Sequence, residues 1–100
     1  MKEKRNKGGK MKEERPFVVK MSSVGNPDFN QDPRKPMSPP AEKRAYDLAD
    51  ASLLCMEYIY YWDLGGGNWT GGKVFKDGKQ VARISYNGRV WDIQGKEIKI

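Results

Sequence analysis

Asp47 and Asp50 lie three residues apart in a segment that reads as helix, which puts both carboxylates on one side of it. Carboxylates paired in this way can exchange a proton with a substrate or, with Asp63, hold magnesium for a small nuclease-like reaction. The chain supplies little else for such work. It has no histidine, and Cys55 is its one cysteine. Ser-His-Asp and Cys-His machinery is therefore excluded, structural zinc lacks ligands, and no internal disulfide can form. Cys55 sits in an apolar run with no base or cation beside it, the setting of a small core residue rather than of a nucleophile. Solvated helix charge is the simpler account of the two aspartates. The expectation is a protein without catalytic residues, metal site or cofactor.

Gly67-Asn68-Trp69-Thr70-Gly71-Gly72-Lys73 has the G-x-x-x-x-G-K spacing of a phosphate-binding loop. Val74 follows, where Ser or Thr would hold magnesium, and the residues beyond it read as strand, whereas a phosphate loop opens a helix. Nucleotide binding is not expected. Asn68-Trp69-Thr70 is a glycosylation sequon, which carries no weight without a secretion signal, and the charged first residues do not form one. No run approaches the roughly 18 apolar residues of a membrane span. The expected location is the cytoplasm, without membrane contact.

Binding chemistry is better represented. Tyr61, Trp62 and Trp69 flank a glycine-rich stretch, and so small a domain cannot bury them all. With Lys73, Lys76, Arg83 and Arg89 they make a set suited to a protein interface or to stacked bases. The net charge of +6 is concentrated at the start of the chain, where residues 1–15 carry +4. A nucleic-acid reading gives Lys2, Lys4, Arg5, Lys7, Lys10 and Lys12, with the Arg and Lys of the C-terminal strands, to phosphates. A solubilising tail is the plainer reading of the same residues.

These groups need elements to position them. Residues 1–15 have no apolar periodicity and read as a disordered basic tail; residues 16–100 read as one small α+β domain. Pro16 opens a strand in which Phe17, Val19 and Met21 share a face. Residues 22–40 hold Pro27, Pro33, Pro36, Pro39 and Pro40 and read as a long loop. Ser38 suits a helix cap with Pro39 at the first helical position. Ala45, Leu48, Ala49, Ser52, Leu53, Met56 and Ile59 or Tyr60 then form an apolar stripe, and the helix reaches about Tyr61. The aromatic run Tyr58–Trp62 leaves strand open for residues 57–64.

Asp77-Gly78 and Asn87-Gly88 are hairpin dipeptides, so the last third is an antiparallel meander of three to four strands. A two-residue turn at Asn87-Gly88 pairs Ile84 with Trp91, Arg83 with Asp92 and Ala82 with Ile93. Ala82, Ile84, Trp91, Ile93 and Phe75 then face the helix, while Val74, Val81, Ser85, Val90 and Gln94 face away. A two-residue turn at Asp77-Gly78 sets Lys76 against Lys79.

Gly66-Gly67-Asn68-Trp69-Thr70-Gly71, followed by Val81, Ile84, Tyr86 and Gly88, resembles a family of small bacterial domains of unknown function, often found behind a helix-turn-helix domain. Lys73 stands where that pattern has an acid, and Ala82 where it has Trp. The resemblance implies the meander and no activity. The order of tail, strand, helix and strands is also similar to small phage-encoded anti-CRISPR and other anti-defence proteins. The expected function is a non-enzymatic binding protein that inhibits or modulates a macromolecular partner, a nucleoprotein defence complex among the candidates. The alternative is a nucleic-acid-binding accessory protein.

Overall fold

The computed structural model describes residues 15–100, so the expected tail, with Lys2, Lys4, Arg5, Lys7, Lys10 and Lys12, lies outside the described residues apart from Arg15. After Pro16 the chain enters β1 (Phe17–Met21), which alternates as expected: Val19 and Met21 are buried and Lys20 is exposed. β1 pairs with β2 (Ala41–Ala45) on one side and β3 (Gly72–Lys76) on the other. β4 (Lys79–Ile84), β5 (Val90–Asp92) and β6 (Glu97–Ile98) continue the sheet. Its order is β2-β1-β3-β4-β5-β6, antiparallel at every step. The helix α1 (Leu48–Tyr61) carries the chain from β2 across β1 to β3, so β2 and β3 run parallel with β1 between them. This split β-α-β unit followed by a meander is an α+β fold.

The strand β2 replaces the first turns of the expected helix. Ala, Glu, Lys and Arg favour helix locally, but the stronger start signal lies further on. Asp47 accepts a hydrogen bond from the Asp50 amide at 2.8 Å, and Asp50 accepts one from the Tyr46 amide at 2.9 Å. The first bond satisfies a donor that a helix N-terminus leaves open, and the second fastens the residue before the cap to the first turn. Residues 41–45, released from the helix, pair with β1, and Glu42, Lys43 and Arg44 keep that sheet edge charged. Ser38 caps nothing. It is buried 2.6 Å from the Ser23 hydroxyl and 2.5 Å from that of Tyr58. Because Tyr58 donates to the Pro39 carbonyl at 2.7 Å, the donors run from Ser23 to Ser38 to Tyr58. This chain ties the loop 22–40 to α1. Asn68, also buried, ties it to the glycine-rich connection through the Val24 carbonyl and the Gln31 side chain, both at 2.9 Å.

α1 ends at Tyr61, as expected, but its buried side is rotated from the expected stripe. Ala51, Ser52, Cys55, Tyr58 and Ile59 are buried, whereas Leu53 is 57% exposed. Small residues set this rotation, because they let helix and sheet approach closely. A Cβ added at Gly72 would run into the Cys55 sulfur.

Two irregularities in the meander decide which side chains meet the helix. Asp77 and Gly78 take positive φ (52° and 81°) in the expected two-residue turn, and Lys76 does face Lys79. A bulge at Val81 then follows: Phe75 pairs with Gln80 but Val74 with Ala82. Val74 therefore turns inward and Phe75 outward, the reverse of the expected faces. At the second hairpin only Gly88 has positive φ, 86°, and the loop has three residues, closed by the Ser85 amide on the Arg89 carbonyl at 3.0 Å. The Asn87 side chain accepts from the Arg89 amide, and Ser52 donates to the Gly88 carbonyl at 2.7 Å, which fastens the loop to the helix. The register becomes Ile84–Val90, Arg83–Trp91 and Ala82–Asp92, one residue from that expected. Val90 fills the site beneath α1, Trp91 is half-buried, and Ile93 is 70% exposed. The expected Arg83–Asp92 pair does not form; Asp92 accepts from the Gln94 and Lys96 amides instead.

Candidate binding surfaces

Most residues with catalytic potential hold structural posts. Asp47 and Asp50 cap α1, and Asp63 sits just past its end with φ 53°. Cys55 is fully buried, and burial pushes its thiol up to about 12, so it carries no thiolate at neutral pH. Asn68, within the apparent phosphate loop, spends its side chain on Gly65, Val24 and Gln31. Among the described residues, no cluster of three Cys, Asp or Glu side chains is placed to hold a metal ion, and no helix is long and apolar enough to cross a membrane.

The seven residues singled out for partner binding do not form one surface. Trp69 is an internal brace: its indole N–H donates to the Ile84 carbonyl at 3.0 Å and its ring lies 6.0 Å from that of Tyr58. Tyr61 and Trp62 meet edge to face, 5.0 Å apart, at the C-terminal end of α1. Lys73 and Arg83 stand directly opposite each other on the sheet face away from the helix. Lys76 is at the far end of β3, over the Phe17 ring at 5.5 Å, and Arg89 follows the second hairpin loop.

Two surfaces emerge. The first is the outer side of α1. The helix has two charged residues, Asp50 and Glu57, among fourteen. A surface helix normally turns a polar face to water, and one apolar all round is normally covered. Here Leu53, Tyr60 (88% exposed) and Tyr61 (76%) face outward. Concavities flank them on both sides. One of about 410 Å³ is lined by Met21, Pro39, Pro40, Leu54, Tyr58 and Trp62 among others, and one of about 470 Å³ by Met56, Ile59, Leu64 and Tyr86 among others.

The second surface is the face of the sheet that no described element covers. Lys20, Lys73, Arg83 and Trp91 stand side by side in register on β1, β3, β4 and β5. In the next row Phe75 pairs with Val18, and the Lys20 ammonium lies 4.9 Å from the centre of the Phe75 ring. A concavity of about 450 Å³ opens at the end of this face beside Lys20, Ser22, Gly71 and Lys73.

No family model, curated protein or solved structure matches the chain.

What these surfaces recognise is thus read from their own chemistry. Sequence reasoning missed Leu53 and Tyr60 on the first and Lys20, Phe75 and Trp91 on the second. The shortage of charge along residues 48–61 was a legible signal for the first. The second depends on the bulge and the three-residue loop, for which the sequence offers no comparable sign.

Proposed function

We propose that this is a non-enzymatic binding protein whose outer helix face docks on a protein partner and so inhibits or modulates it. The observation that carries the reading is the exposure of Leu53, Tyr60 and Tyr61 on a helix with two charged residues, of which Glu57 is exposed among them. Large rigid aromatics flanked by shallow concavities are the usual anchors of protein interfaces. The posts held by Asp47, Asp50 and Cys55 support the non-enzymatic part, because these three groups already serve the fold. A nucleoprotein target of the kind met by phage-encoded anti-defence proteins suits a body with one apolar and one cationic face.

Affinity capture from bacterial lysate, followed by mass spectrometry, tests the proposal. A stoichiometric partner should be retained by the unaltered chain and by Lys73→Ala, and lost when Leu53→Glu and Tyr60→Glu are combined. Retention of that partner by the double variant overturns the assignment of the surface. A dimer of this chain that forms alone and is abolished by the same double change overturns the foreign partner.

A further inference from the structure

From the open face of the sheet we infer a second binding activity, distinct from the helix surface: it holds single-stranded nucleic acid. The starting point is a row of like charges that Glu42, opposite Lys20 on β2, relieves at one end only. Lys20 is directly opposite Lys73, and Lys73 directly opposite Arg83. Like charges facing across strands are destabilising. Among the described residues the ion pairs are Arg34–Asp32 at 3.1 Å and Lys99–Glu97 at 3.8 Å, and none reaches the three central cations. A protein that folds with three adjacent cations in register on an open surface is complementary to a row of anions.

The aromatic neighbours narrow the choice. Trp91 continues the row beyond Arg83, and Phe75 flanks it, so flat π surfaces border the positive charge at one end and along one side. Four strands at about 4.8 Å spacing give the row a length of about 14 Å. A phosphate backbone can follow the cations while its unpaired bases stack on Phe75 and Trp91; a duplex, with its bases already stacked inside, cannot use the rings. The Lys20 ammonium lies over the Phe75 ring. A phosphate beside Lys20 and Lys73 competes for that ammonium and frees the ring face. The concavity lined by Lys20, Ser22, Glu42, Gly71 and Lys73 among others lies at the end of this path, where the backbone would enter on the side of the two lysines, away from the Glu42 carboxylate.

The test is fluorescence anisotropy with the full chain and an oligothymidine of about 20 nucleotides, long enough to cover one such site, against a duplex of equal length. Every variant keeps the basic N-terminal residues, so their contribution is common to all. The single strand should bind more tightly than the duplex. Lys73→Glu and Arg83→Glu should each weaken it by about tenfold or more, and each lost phosphate contact should reduce the slope of log K against log salt by about 0.7. Phe75→Leu and, separately, Trp91→Leu should weaken the single strand about fivefold or more while leaving the duplex unchanged. The combined Leu53→Glu and Tyr60→Glu variant should bind as the unaltered chain does, which keeps this activity separable from the helix surface. Equal affinity for duplex, affinity unmoved by Lys73→Glu and Arg83→Glu, or displacement of the oligonucleotide by polyglutamate as readily as by oligothymidine would each overturn the inference.

Discussion

The two faces of the sheet are built from alternate residues of the same strands, yet opposite demands shape them. Val19, Val74, Ala82, Ile84 and Val90 are all fully buried beneath α1. Lys20, Phe75, Arg83 and Trp91, each next to one of these in sequence, look the other way. On the covered face the governing quantity is volume. Ala51, Ser52, Cys55 and Gly72 let the helix lie close, so a valine fits beneath it where a tryptophan was expected. On the open face the governing quantity is charge: Glu42 stands opposite Lys20, but Lys73 and Arg83 have no acid opposite them. Lys73 between Lys20 and Arg83 is a local cost to the fold, which is the contrast with the covered face that the proposed ligand accounts for.

The largest test of the contrast is truncation on either side of β4. Ile84→Ala removes one of the largest fully buried side chains and should cost about 2–5 kcal/mol in urea unfolding, by lost transfer energy plus a residual cavity. Arg83→Ala, one position away but exposed, should stay within about 0.5 kcal/mol. Similar costs at the two positions would mean that the faces are not divided as described.

Close approach is the next thing to probe. Gly72→Ala places a methyl group against the Cys55 sulfur and should cost about 1–3 kcal/mol through overpacking. Cys55→Ala makes room, so the double variant should be less destabilised than the sum of the two single changes. Strict additivity would show that the seam between α1 and β3 is not limited by that contact.

What could be read in advance divides along the same line. The α+β class, β1 and its alternation, the end of α1 at Tyr61 and the turn at Asp77-Gly78 all follow from local chemistry, and all are present. The start of α1 misled because residues 41–45 are good helix formers, and only pairing with β1 holds them extended. The assignment of Trp91 and Ile93 to the core failed because register is set by one residue in a loop. Asn87 uses its side chain to close a three-residue turn rather than its backbone to make a two-residue one. A bulge at Val81 did the same to Val74 and Phe75. Period-two alternation fixes which residues share a face, but not which face is covered; that is decided by the helix that packs there. The candidate site suffered accordingly: Lys73 and Arg83 were legible as a pair of exposed cations, whereas Lys20, Phe75 and Trp91 join them only through the observed register.

The covered face also has a pH signature. Burial raises the Cys55 thiol from an ordinary value of 9.0 to about 12. The folded state then keeps its proton where the unfolded state loses it. The stabilisation is complete below about pH 9 and is lost as pH climbs toward 12. At pH 10 the loss should be about 1.4 kcal/mol relative to pH 7, since one pKa unit corresponds to that energy. Tyrosines and lysines titrate in the same range, so the measurement is a difference: urea unfolding of the unaltered chain and of Cys55→Ala between pH 7 and pH 11. The two stability curves should converge as pH rises. Parallel curves would show that the thiol ionises as freely folded as unfolded, and so that the seam beneath α1 is wet.

The smallest expected effect bears most directly on why the faces differ. Lys73→Glu puts a carboxylate between Lys20 and Arg83, turning two repulsive cross-strand pairs into attractive ones. It should raise stability by about 0.2–1 kcal/mol for each pair at low ionic strength. The gain should shrink as salt approaches 1 M, where the screening length falls to about 3 Å. A substitution that strengthens the fold while weakening oligonucleotide binding would separate the two demands on one residue: the fold prefers an acid at position 73, and a polyanionic ligand requires the lysine. No gain in stability would mean that the three side chains already splay far enough into water to ignore one another. The charge row would then cost the fold nothing, and its presence would no longer point to a ligand.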